Sequence, residues 1–126
     1  MKENILKVKQ DIFYRAKIFI EKIGSFAPFA STYDGEVKDL MAYENFEESI
    51  EGMKLVNMLK SDISKDLRSD LIQIGAIAYD VKISLKNADG VSQKRDALCL
   101  IISTDGENWS QEYFPYMIID GQCIWR

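Results

Sequence analysis

An α+β domain with a mostly antiparallel sheet is predicted by three features of this chain. Apolar residues recur at helical spacing over 3–23 and again over 45–67, the period switches to two from Leu71, and four Asp-Gly dipeptides interrupt apolar runs. Those dipeptides, at 34–35, 89–90, 105–106 and 120–121, favour hairpins. Glycine enters positive φ freely, and aspartate tolerates the left-handed region. The predicted order is α-β-β-α-β-β-β-β, a single domain over residues 1–126 with the helices packed on one face of the sheet.

In the first helix Ile5, Val8, Ile12, Ala16, Phe19 and Ile23 form one stripe, which Leu6, Phe13 and Ile20 widen. Gly24 reads as its C-terminal cap. Next come two short apolar segments around Asp34-Gly35. A two-residue loop there sets Phe29 opposite Leu40 and Phe26 opposite Tyr43, apolar against apolar. Pro28 has no N–H to give, so the first strand is an edge or begins after it.

Asn45 opens the second helix, because Asn45-Phe46-Glu47-Glu48 has capping-box spacing and Glu47, Glu48 and Glu51 suit the positive end of the dipole. Ile50, Met53, Val56, Leu59 or Lys60, Ile63 and Leu67 continue the stripe. Gly52 and Ser61-Asp62 weaken it enough to allow a break near residue 60.

Alternation then places Ile77, Tyr79, Val81, Ile83 and Leu85 on one face of a strand and Asp80, Lys82, Ser84 and Lys86 on the other. Ile72, Ile74, Ala76 and Ala78 make its near end apolar on both faces, so that end needs cover on both sides. Residues 97–102 are apolar throughout and read as a central strand, followed by strands over 110–119 and 122–125. Two registers fit Asp105-Gly106. A two-residue loop pairs Trp109 with Ile102, whereas a bulged turn with Gly106 left-handed shifts the pairing by one. At Asp120-Gly121 a two-residue loop sets Tyr116 opposite Trp125, and Pro115 implies an edge or a bulge.

Composition excludes more than it assigns. A net charge of −4 over 126 residues argues against nucleic acid. No stretch has the apolar core of a signal peptide or the ~20 apolar residues of a membrane helix. The expected location is the cytoplasm, with Cys99 and Cys123 as free thiols and Cys99 buried. The chain contains no histidine, which removes the commonest general base, every Ser-His and Cys-His nucleophile arrangement and the commonest transition-metal ligand. No phosphate-binding glycine loop or calcium loop is present, and neither metal nor cofactor is expected.

Two constellations remain. Asp80, Asp96 and Glu112 fall on three successive strands and could converge as the acids of a pocket, although pairing with Lys82, Lys94 and Arg95 on a solvated face is the simpler reading. Aromatics crowd the end of the chain, and such residues often anchor interfaces. The expected partner-binding set is Trp109, Glu112, Tyr113, Tyr116 and Trp125. The short last strand adds an edge for a partner strand or for self-association.

The segments Phe26-Ala27-Pro28-Phe29-Ala30, Arg95-Asp96-Ala97, Asp105-Gly106-x-x-Trp109 and Tyr113-Phe114-Pro115-Tyr116 resemble those of a group of small bacterial α+β proteins. That resemblance implies a cytoplasmic bacterial protein of no assigned activity. A looser likeness, to immunity proteins that neutralise a toxin domain, carries over no residue. The expected function is a non-enzymatic intracellular module that binds another protein, as an inhibitor or immunity-type partner. The alternative is a small-ligand-binding domain, or a weak carboxylate-dependent enzyme, with Asp80, Asp96 and Glu112 in a pocket between sheet and helices. A structural homodimer is the third reading.

Overall fold

Pro28 decides where the sheet begins. Lacking an N–H, it cannot donate to a ladder, and β1 (Phe29–Tyr33) starts on the next residue. The remaining strands are β2 (Val37–Met41), β3 (Ile74–Lys86), β4 (Ser92–Ser103), β5 (Ser110–Ile119) and β6 (Gln122–Trp125). They form one antiparallel sheet in the order β2-β1-β3-β4-β5-β6, so β1 is an inner strand and β6 an edge. The helices are α1 (Lys2–Ile23) and α2 (Gly52–Arg68). This computed structural model describes residues 1–41 and 52–126. The expected capping box at 45–48, the contributions of Ile50 and Glu51 and the pairing of Phe26 with Tyr43 lie outside the described residues.

The class and element order are those expected, but the helices do not share a face. Val8, Ile12, Ala16 and Ile20 of α1 bury against Ile74, Ala76, Ala78, Leu98, Leu100 and Tyr116. Leu55, Val56, Leu59, Ile63 and Leu67 of α2 bury against Ala30, Ile77, Cys99 and Ile101. Neighbouring strand residues point to opposite sides, so one helix lies on each side of the sheet. The cause is the apolar character of both faces at 74–78 and 97–101, which a single layer could not cover.

The sheet also curls around α1. The β4–β5 ladder ends at Ala97 and Pro115, and pairing between β5 and β6 takes over at Tyr116 opposite Trp125. Past that proline the hairpin folds onto the helix. Trp125 meets Phe13 edge-on at 5.0 Å between ring centroids, and the Cys123 amide donates to Glu21 at 2.9 Å.

Turn chemistry explains where the expected registers hold. Asp120 and Gly121 both have positive φ (51° and 77°), the requirement of a two-residue primed turn, and Tyr116 stands opposite Trp125. At Asp34-Gly35 only the glycine is left-handed, and Asp34 instead accepts the Glu36 amide through its carboxylate. The loop takes one more residue, so Phe29 pairs with Met41 and not with Leu40. At Asp105-Gly106 again only the glycine is left-handed, and the shifted register is adopted, with Ile102 opposite Ser110. Gly24 caps α1 as expected, at φ 87° with its amide on the Ile20 carbonyl.

Three side-chain expectations change. The second helix runs unbroken through Ser61-Asp62, and its buried face is led by Leu55 while Met53 is 52% exposed. Ile23 and Leu6 of the first stripe are exposed. Arg15, in contrast, is buried. Its guanidinium donates to the Ala30 carbonyl at 2.7 Å and to Ser31 Oγ at 3.2 Å, stacks on Phe29 and is flanked by Asp11 and Asp39. Ser31 in turn donates to Asp11. Asp39 shares a hydrogen bond with Asp11 that raises its pKa, and burial adds to the effect. This polar knot fastens α1 to β1.

Gly75 sets how closely α2 approaches the sheet, since a Cβ there would stand 2.2 Å from Ile63 Cγ2. Gly75→Ala is therefore expected to destabilise the fold by about 1–3 kcal/mol, the usual cost of overpacking. Adding Ile63→Ala should cost less in urea denaturation than the sum of the two single changes; strictly additive losses would show that the two positions do not compete for space.

Candidate functional site

β3 is longer than the strand beside it. Its 13 residues reach Lys86, but β1 accompanies it only as far as Ala78, opposite Phe29. From Tyr79 onward, one edge of β3 has no strand partner among the described residues. The chain entering β1 crosses that edge with Phe26, Ala27 and Pro28, and the first turn of α2 approaches it with Gly52, Met53 and Leu55. Between them and Tyr79, Asp80 and Val81 lies a partly open cavity of about 460 Å³. This volume falls within the range of small-molecule sites.

Among the described residues, Asp80 is the one carboxylate in that otherwise largely apolar lining. Tyr116 donates its hydroxyl to both carboxylate oxygens, at 2.9 and 3.0 Å, and the Phe26 amide donates as well. Burial nevertheless pushes the Asp80 pKa up, and the charge of Asp96 adds to the shift. Lys82 opposes it weakly, because its ammonium is engaged by Asp96 at 3.0 Å. The Tyr116 phenol is itself 2% exposed, and burial followed by the Asp80 contact raises its pKa, so it remains a donor. Tyr79 is likewise held protonated by burial and by its contact with Cys99.

The three expected acids do not gather in the cavity. Asp96 lies on the same face of the sheet as Asp80 but pairs with Lys82. Glu112 pairs with Lys9 of α1 at 3.2 Å. The expected partner-binding set is dispersed too. Tyr116 and Trp125 pack together at 5.7 Å within the α1 core. Glu112 faces the same side, whereas Trp109 packs beneath Lys60 on the α2 side and Tyr113, half exposed, also faces that side. No group of three or more His, Cys, Asp or Glu side chains is placed to hold a metal among the described residues, and no helix there is long and apolar enough to cross a membrane.

The sequence reading missed the contact between Tyr116 and Asp80, which joins residues 36 positions apart. The shifted register at Asp105-Gly106 contains the missing signal. Carried one residue past the end of the ladder at Ala97 and Pro115, it sets Tyr116 toward Asp96, which is diagonal to Asp80 on the same face. Comparison with protein-family models, curated proteins and solved structures finds no match.

A carboxyl whose pKa is higher in the folded than in the unfolded chain adds stability only while protonated. For Asp80 that contribution is complete below the ordinary value of 3.8 and is lost as pH rises through the raised value. Asp80→Asn keeps an acceptor for Tyr116 and should raise the melting temperature at neutral pH, with the gain shrinking on acidification. A gain that is absent or the same at every pH would contradict the burial argument. Tyr116→Phe should cost about 1 kcal/mol at neutral pH in the same melts, since it removes a hydrogen bond from a half-buried carboxylate.

Proposed function

We propose that this protein is a non-enzymatic binding domain that takes a small, largely apolar molecule into the cavity between β3, the segment preceding β1 and the start of α2. One observation carries the reading: a cavity of about 460 Å³ with mostly apolar walls is bordered, among the described residues, by one carboxylate residue, Asp80, whose side chain a buried tyrosine holds. Apolar walls supply affinity and one fixed polar group supplies orientation, the usual division of labour in small-ligand sites. Binding without bond-making is supported by the lack of any histidine and by the chemistry beside Asp80, where the nearest partner is a phenol held protonated.

This reading takes precedence over recognition of another protein because the five residues expected to form such an interface open onto opposite sides of the sheet or into its core. A reducing cytoplasm remains the proposed setting. Cys99 and Cys123 are both buried free thiols, and they lie in clusters on opposite faces of the sheet, which keeps them apart.

Nile red, a neutral apolar fluorophore, tests the cavity directly. It should bind saturably with a blue-shifted emission. Ala27→Trp, at an exposed lining position, should abolish the signal while leaving the unliganded melt unchanged. Emission that never shifts, or that Ala27→Trp leaves intact, would remove the cavity as the site.

A further inference from the structure

We infer that the ligand of this cavity is a small apolar molecule carrying an ammonium group, seated with its cation on the Asp80 carboxylate and its body among Phe26, Tyr79 and Leu55. The inference rests on the cavity being a binding site and adds the class of molecule that fills it. A carboxylate offers about four acceptor sites. Those of Asp80 take the Tyr116 hydroxyl and the Phe26 amide, and both donors are neutral. Asp80 enters no ion pair among the described residues, although it is half-buried against apolar walls. The nearby cation, Lys82, is committed to Asp96.

A partly desolvated carboxylate with spare acceptor sites therefore stands at the margin of an apolar space. Such a charge is costly unless a cation meets it. An acidic ligand would meet repulsion from Asp80, and from Asp96 behind it. A neutral alcohol would fill the space but leave the charge uncompensated. An ammonium satisfies both requirements, and the net charge of −4 draws cations toward the molecule from a distance.

Three ligands of matched body separate these cases: phenethylamine, phenethyl alcohol and phenylacetate, each titrated calorimetrically into the wild-type protein and the Asp80→Asn variant. Phenethylamine should bind wild type at least about tenfold more tightly than the alcohol, the worth of one charge-assisted hydrogen bond, with phenylacetate weakest. In Asp80→Asn the amine should lose its advantage and fall to the level of the alcohol. Equal binding of amine and alcohol by wild type, or an amine preference that survives Asp80→Asn, would overturn the inference and leave the cavity reading standing. Nile red binding with none of the three ligands bound would do the same. If neither Nile red nor any of the three binds, both conclusions fail together.

Discussion

Two adjoining strands that are apolar on both faces must be buried twice. Residues 74–78 of β3 and 97–101 of β4 send alternate side chains into two separate clusters, each closed by its own helix. No layer lying on one side could dry both. From that requirement follow the placement of α1 and α2, the central position of β3 and β4, and the exposure of whatever sheet the helices do not reach. Gly75 lets α2 come close enough to seal its side. On the other side the sheet itself bends, with β5 and β6 folding past Pro115 to enclose α1.

The cavity is a by-product of the same geometry. β3 must be long to serve as the spine of the sheet, but β1 is stopped at its start by Pro28. An inner strand that outruns its neighbour leaves a bare edge, and here a short crossing segment and the first turn of α2 shape that edge into a recess. Asp80 stands where the bare edge begins. Its side chain belongs to the α1 face, where Tyr116 holds it, and it also borders the recess. Core and cavity therefore meet at one carboxylate, and its protonation is felt by both.

Polar groups elsewhere in the fold are compensated locally. Arg15 is nearly buried but is given a carbonyl, a hydroxyl and two carboxylates. Asp105, fully exposed, is held well below the usual carboxylate range chiefly by the Asn108 amide, and it organises its loop. Among the described residues no buried side-chain nitrogen or oxygen lacks a partner. Against that background Asp80 differs from Asp105, because burial pushes its pKa up where hydrogen bonds hold that of Asp105 down. That contrast marks it as a group maintained against its own stability cost.

Local physics was written into the sequence. Helical periodicity, the Gly24 cap, the element order and the tight turn at Asp120-Gly121 depend on residues within a few positions of each other, and each was legible there. Tertiary packing decided what those signals leave open: which side each helix covers, that Leu55 and not Met53 turns inward, and which of two registers follows Asp105-Gly106. A two-faced apolar strand carries no label for inside, so alternation could not choose between its sides. Asp80 was among the acids expected of a pocket, but the walls assembled around it lie in this second category. Phe26, Leu55, Asp80 and Tyr116 are brought together only by the ending of one strand, the bending of another and the seating of a helix.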